Sequence, residues 1–172
     1  MTCCLSLASI DSGLELRLGP VPLAALLSAQ AEQLRLLAPG LTVDVVAPVC
    51  AVRADHHQLT QLIANLLENA RRYVPRPGRV LLRGVCDASG TDVLITDDGP
   101  GIPPADRDRI FDRMVRLDDA RTRGDESTGQ AVGFGLGLAI ARGIARSHGG
   151  ELTCVPPAAP WTGAAFLLHL PS

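Results

Sequence analysis

Apolar and polar positions follow two different rhythms along this 172-residue chain, and the rhythm changes at runs of Gly and Pro. Leu14, Leu16 and Leu18 alternate with Glu15 and Arg17, a period of two that predicts a strand. Pro20 and Pro22 punctuate it, and Leu23, Leu26, Leu27, Leu34 and Leu37 then recur at helical spacing until Pro39-Gly40. Leu41, Val43 and Val45 read as a strand, and Val49–Arg53 as another short one. Asp55 has the chemistry of an N-cap. It opens a helix whose apolar face is Leu59, Leu62, Ile63, Leu66, Leu67 and Ala70, and which ends before Pro75. Arg79–Cys86 and Thr91–Thr96 read as a hairpin around the turn chemistry of Asp87–Gly90. From Gly99 to Val132 the chain is rich in Gly, Pro, Asp and Arg, with one apolar knot from Ile110-Phe111 to Met114-Val115. Leu136–Ser147 is helical again and stops at His148-Gly149-Gly150, after which Glu151–Val155 and Ala164–Leu170 form a closing hairpin. The fold class this order predicts is α/β, a two-layer sandwich with helices covering a mixed, mostly antiparallel sheet.

Composition narrows this only a little. A hydrophobic content of 47% is enough for one compact domain with a real core and too little chain for two large ones. A formal charge of -2 leaves no field to suggest nucleic acid as a partner. All 16 basic residues are arginine, so any cation meeting a phosphate must be a guanidinium, whose planar fork suits that task. The five cysteines are scattered, odd in number and without a C-x-x-C pair, which argues against a disulfide scaffold and against zinc. The expectation is of thiols serving as small core residues in a reducing cytosol. No apolar run approaches the roughly 20 residues a membrane helix needs, so this stretch is expected to be cytoplasmic and not membrane-inserted. A parent protein anchored in the inner membrane is compatible with that.

Four segments carry chemistry. In Asn65-Leu66-Leu67-Glu68-Asn69-Ala70-Arg71-Arg72-Tyr73, Asn65 and Asn69 stand four apart and share a helix face. Two amides inside an apolar helix need partners, and a hard cation such as Mg2+ that keeps waters and phosphate oxygens is one. Backbone groups are the other, and the segment alone leaves both open. Arg72 and Tyr73 offer a cation for phosphate and a flat face for a base. In Leu94-Ile95-Thr96-Asp97-Asp98-Gly99-Pro100-Gly101-Ile102 a strand ends on a carboxylate followed by glycines that let backbone approach a ligand. Such a carboxylate can accept from an exocyclic amine, although a Gly-Pro turn with an Asx cap has the same letters. Ile110-Phe111-Asp112-Arg113-Met114-Val115-Arg116 is an amphipathic patch that reads as a short helix docking on the core. Gly133-Phe134-Gly135-Leu136-Gly137-Leu138-Ala139-Ile140 runs glycines into a helix start, where exposed N–H groups and the helix dipole favour a polyphosphate. It is neither a Rossmann fingerprint nor a Walker A sequence.

In order and character these segments resemble the N, G1, F and G2 boxes of sensor histidine kinase catalytic domains, members of the GHKL ATPase superfamily with the Bergerat fold. The resemblance runs from about residue 5 to the end, with residues 1–20 as the remnant of a dimerisation helix and linker and 21–172 as the ATP-binding domain. It implies ATP and Mg2+ as cofactors. Asn69 would ligate the metal, with Asn65 lining the same pocket. Arg72 would meet phosphates and Tyr73 would lie by the adenine. Asp97 would bond the adenine amine, Gly99 and Gly101 would shape that pocket, and Ile102 would pack on the base. Gly133, Gly135 and Gly137 would cradle phosphates, with Phe134, Leu136 and Leu138 among the nucleotide-binding positions. Residues from about 117 to 132 would form a mobile ATP lid, and Arg116 would join Asn69 and Arg72 as a catalytic residue, through the γ-phosphate. The implied activity is transfer of the γ-phosphoryl group to a histidine on a dimerisation domain, for relay to a response regulator.

The sequence departs from the family pattern in places. Met114 replaces an aromatic in the F box, Phe134 a small hydroxyl residue in the G2 box, and Ala164 and Ala165 the threonine often found near the adenine. None of the four histidines, His56, His57, His148 and His169, stands in the His-Glu-x-x-x-Pro context of a phosphoacceptor. The expectation is therefore a fragment, or a chain acting on a histidine supplied in trans. Two alternatives are a nucleotide-binding regulatory module without kinase activity and another GHKL ATPase or serine kinase. For a gyrase-type ATPase the one candidate catalytic glutamate next to Asn69 is Glu68.

Overall fold

The computed structural model describes residues 16–112 and 136–172. The elements in chain order are β1 (Leu18–Pro22), α1 (Leu23–Leu37), β2 (Leu41–Val46), β3 (Ala51–Asp55) and α2 (His56–Tyr73). There follow β4 (Gly78–Asp87), β5 (Gly90–Asp97), two 3-10 turns (Pro104–Asp106 and Arg109–Phe111), α3 (Gly137–Ser147), β6 (Glu151–Cys154) and β7 (Ala165–Pro171). Five strands form one sheet in the order β2-β4-β5-β7-β6, and β1 pairs with β3 in a separate two-stranded ribbon. Only β2–β4 is parallel within the five-stranded sheet; its other neighbours are antiparallel. The helices supply the second layer of the α/β sandwich. Leu23, Leu27, Leu59, Leu62, Ile63 and Leu66 from helices and Val80, Leu82, Ile95, Leu152 and Leu168 from strands are buried together in one core. The two periods along the chain are thus the two faces of a single interior.

Two expectations change. The first strand runs through Pro20 and Pro22 instead of ending before them, in register with β3 from Leu18↔Asp55 to Pro22↔Ala51. Prolines an even number of residues apart turn their nitrogens to one side of a strand, which leaves Gly19 and Val21 to carry the ladder. A two-stranded ribbon has an open side where a missing N–H costs nothing. The cysteines are not all thiols either. Cys50, in the β2–β3 connection, and Cys86, near the end of β4, form a disulfide across 36 positions, with Cα atoms 6.7 Å apart. The parallel register that brings Val46 beside Arg83 also brings these two together, and sequence spacing carries no trace of such a pairing. Cys154 is free and half-buried, and that burial pushes its thiol pKa up.

The N-cap is where the sequence placed it. Asp55 accepts the Gln58 N–H at 3.1 Å with Oδ1 and the Arg17 N–H at 3.0 Å with Oδ2. Its own N–H donates to His148 Nε2 at 3.0 Å, so the proton of that ring sits on Nδ1, which lies 2.8 Å from the Ile144 carbonyl. The end of α3 is thereby bound to the start of α2.

Candidate functional site

Three places in the chain converge at one end of the sheet. The first is the strand end at Asp97, which is buried. Its Oδ1 accepts two backbone N–H groups, from Gly99 at 2.9 Å and from Ala164 at 3.0 Å. Two more backbone bonds, Asp97 N–H to the Ala164 carbonyl at 3.0 Å and Gly163 N–H to the Asp97 carbonyl at 2.9 Å, fix the start of β7 against the end of β5. Both side-chain bonds fall on one oxygen, and among the described residues Oδ2 has no hydrogen-bond partner. Burial raises the Asp97 pKa, the two N–H bonds act against it, and the neighbouring charge of Asp98 adds to the rise.

Close backbone packing makes this possible. A Cβ on Gly163 would overlap Asp97 Oδ1 and stand 2.6 Å from the Asp97 carbonyl oxygen, so no larger residue fits there. Gly101 has φ +76°, a left-handed turn that glycine adopts without penalty, and faces the carbonyls of Thr162 and Gly163. Ile102 is partly buried against the core.

The second place is α2. Asn65 and Asn69 share its face as their spacing requires, and the Asn65 Nδ2 is buried with no hydrogen-bond partner among the described residues. Buried amides are normally satisfied, and among the described residues Thr96 Oγ1 is the one other fully buried side-chain N or O atom that shares this lack of a partner. Tyr73 is exposed at the helix end, and its backbone carbonyl lies 3.6 Å from where a Gly99 Cβ would be. The Asp97 turn and the end of α2 are therefore neighbours. Arg72 is exposed beside it. Glu68 points elsewhere, gripped by Arg71 through Nε–Oε2 at 2.6 Å and Nη2–Oε1 at 2.7 Å on the exposed flank of the helix.

The third place is the start of α3. A Cβ on Gly137 would lie 3.9 Å from Cβ, Cγ and Oδ1 of Asn65, so the first turn of this helix abuts the asparagine face. Leu136 and Leu138 flank that contact, and Leu138 is partly buried against the core. Gly133, Phe134 and Gly135 lie outside the described residues, as do Met114, Arg116, the expected lid at 117–132 and most of the expected dimerisation remnant.

Three residues here were not singled out by sequence. Gly163 lies just before the expected closing strand, and its contact with Asp97 depends on β5–β7 register. Arg142 of α3 places its guanidinium 4.8 Å from the Phe111 ring centre while its Nε meets Glu151 at 2.6 Å. Phe111 itself is buried and packs edge-on against Phe166, with ring centres 6.3 Å apart, so the described part of the apolar knot, Ile110 and Phe111, anchors on the core from a 3-10 turn. Arg79 lies 5.0 Å from the Trp161 ring centre and pairs with Asp98 at 3.4 Å. No periodic signal marks either arginine.

The family described as histidine kinase-, DNA gyrase B-, and HSP90-like ATPase matches residues 54–172. The chain belongs to that family. It is 36% identical over 129 residues to the adaptive-response sensory kinase SasA of Synechococcus sp. (strain CC9311), covering 74% of this chain and 31% of that protein. Among solved structures it is similar to the mycobacterial sensor histidine kinase MprB, with 31% identity and a TM-score of 0.75 over 90% of this chain and 97% of that one. It is also similar to full-length ShkA in complex with AMPPNP, at 29% identity and a TM-score of 0.80, covering 97% of this chain and 34% of ShkA. The chain spans about a third of the length of the curated relative.

Proposed function

We propose that this chain is the ATP-binding catalytic domain of a sensor histidine kinase, transferring the γ-phosphoryl group of ATP to a histidine of a dimerisation domain for relay to a response regulator. The observation that carries the reading is the Asp97 carboxylate. One oxygen is fixed by two backbone N–H groups, and the other remains for a donor such as the adenine amine. Gly99, Gly101 and Ile102 form the adenine side, with Tyr73 at its edge. Asn65, Asn69 and Arg72 on α2, together with the glycines from Gly133 to Gly137 and with Phe134, Leu136 and Leu138, hold the phosphate side. The buried, unpartnered Asn65 Nδ2 and the approach of Asn65 Oδ1 to the start of α3 support that reading.

Mg2+ suits this donor set. The described residues hold no cluster of three or more His, Cys, Asp or Glu, and amide oxygens with phosphates and water meet the preference of this ion for hard oxygen ligands. When bound it would neutralise charge on the phosphate oxygens. Asn69 would supply the amide oxygen, and Arg72 with Arg116 would add cations to the transferring group. Positioning and charge stabilisation are most of what phosphoryl transfer asks of a protein, and the chain contributes them without supplying the nucleophile. Residues 1–20 would be the link from the dimerisation helix and 21–172 the catalytic domain, working on the cytoplasmic side of an anchored parent.

The Glu68–Arg71 grip speaks against a gyrase-type role for Glu68. The test is incubation of the purified chain with Mg2+, γ-labelled ATP and the dimerisation domain of its parent. Acid-labile, base-stable label on that domain is expected, and loss of it in Asn69→Ala. Binding of ATP without transfer would leave a regulatory nucleotide module, and absence of binding would overturn the nucleotide site itself.

A further inference from the structure

The Cys50–Cys86 bond joins two parts of the fold that share no strand. Cys50 stands one residue before β3, and its carbonyl accepts the N–H of Leu23, the first residue of α1, at 3.0 Å. Cys86 lies on β4 in the five-stranded sheet, paired across the hairpin with Thr91, whose hydroxyl approaches its sulfur at 3.6 Å. The β1–β3 ribbon and the five-stranded sheet have separate ladders. The disulfide is therefore a covalent tie between them. The ribbon in turn holds both Arg17, through Asp55, and the N-cap of α2, the helix that carries Asn65 and Asn69.

We propose that Cys50 and Cys86 are a reversible thiol–disulfide pair through which the redox state clamps or releases the β1–β3 ribbon. Both residues are only partly buried, so a small-molecule disulfide such as oxidised glutathione can reach them. One thiolate attacks the glutathione disulfide, forming a mixed disulfide and releasing one glutathione thiolate. The second cysteine, after losing its proton to solvent, attacks the protein sulfur of that mixed disulfide and releases the second glutathione. Two protein thiols are oxidised by two electrons and one glutathione disulfide is reduced to two thiols. In a reducing compartment the pair rests as dithiols, and oxidation closes it. Cys154 is a poor competitor, because burial keeps its thiol protonated and it sits on β6, at the opposite edge of the sheet from β2.

The experiment equilibrates the whole chain in graded ratios of reduced to oxidised glutathione. Peptide-resolved differential alkylation then reads each cysteine, Cys3 and Cys4 included, alongside thermal melting and amide hydrogen exchange. Cys50 and Cys86 are expected to convert together, with the oxidised form melting about 5–15 °C higher, as closure of a loop this long predicts. Reduction is expected to lower exchange protection chiefly in β1 and β3. In Cys50→Ser and Cys86→Ser the melting temperature should no longer depend on the glutathione ratio. The proposal is overturned if both cysteines alkylate at every ratio, or if they oxidise with other partners. It is equally overturned if they convert without changing melting or the protection of the ribbon. Each readout on the unmutated chain stands even where a serine variant fails to fold, and none depends on nucleotide binding.

Discussion

Asp97 Oδ1 and the Ala164 N–H meet at 3.0 Å, so the carboxylate of one strand end is fixed by the backbone of another. Any residue except proline at 164 supplies that N–H. The alanine that departs from the family pattern therefore costs the site a side chain and leaves the anchor of Asp97 intact.

Asp97→Asn separates binding from folding. Its amide oxygen can still accept from Gly99 and Ala164, while its Nδ2 presents a donor to a donor. Nucleotide affinity is expected to fall about 10–100-fold by calorimetry, the scale of a lost charge-assisted bond. Because the folded-state pKa is raised, chiefly by burial, the wild-type protein loses stability as pH climbs from the ordinary carboxylate value through the elevated one. The variant lacks that loss, so its melting temperature at pH 7 should equal or exceed the wild-type value.

Two glycines should answer differently to one methyl. Gly163→Ala drives a Cβ into Asp97 Oδ1 and should cost about 1–3 kcal/mol in denaturant unfolding, together with nucleotide affinity. Gly137→Ala meets Asn65 only at 3.9 Å, ordinary contact, and adds a better helix former. It should melt within about 3 °C of the wild type while weakening nucleotide binding, because the methyl covers the Asn65 amide. Equal melting temperatures for the two variants would refute the difference in packing.

Asp55 links β1, α2 and α3. Its pKa is lowered, first by the Gln58 N–H bond and further by those of Arg17 and His57, against the opposing effect of burial. A lowered folded-state pKa contributes stability above the ordinary carboxylate value that is lost as pH falls through the depressed one. Asp55→Ala should lose about 1 kcal/mol at pH 7 in urea unfolding. The gap to wild type should narrow below about pH 4.

Glu68 is held by Arg71 on an exposed flank. Glu68→Gln should leave nucleotide affinity and phosphoryl transfer within about twofold of wild type, as for other surface changes. A collapse of activity would reinstate Glu68 as a catalytic base.

The sequence by itself determined most of the elements. The 3.6-residue spacing of leucines in α1 and α2, the Asp55 cap and the alternation in β4, β5 and β7 are local, each set by which face must leave water, and each formed where expected. The asparagine pair and the strand-end aspartate were legible for the same reason, since short spacing fixes a shared face. The tertiary structure alone decided what meets across the chain. The ribbon that tolerates Pro20 and Pro22, the Cys50–Cys86 bond, Gly163 beneath Asp97 and Arg142 over Phe111 each join residues far apart in sequence. Their partners are chosen by strand order and register, which follow from burying every face at once, and no local window of residues encodes that sum.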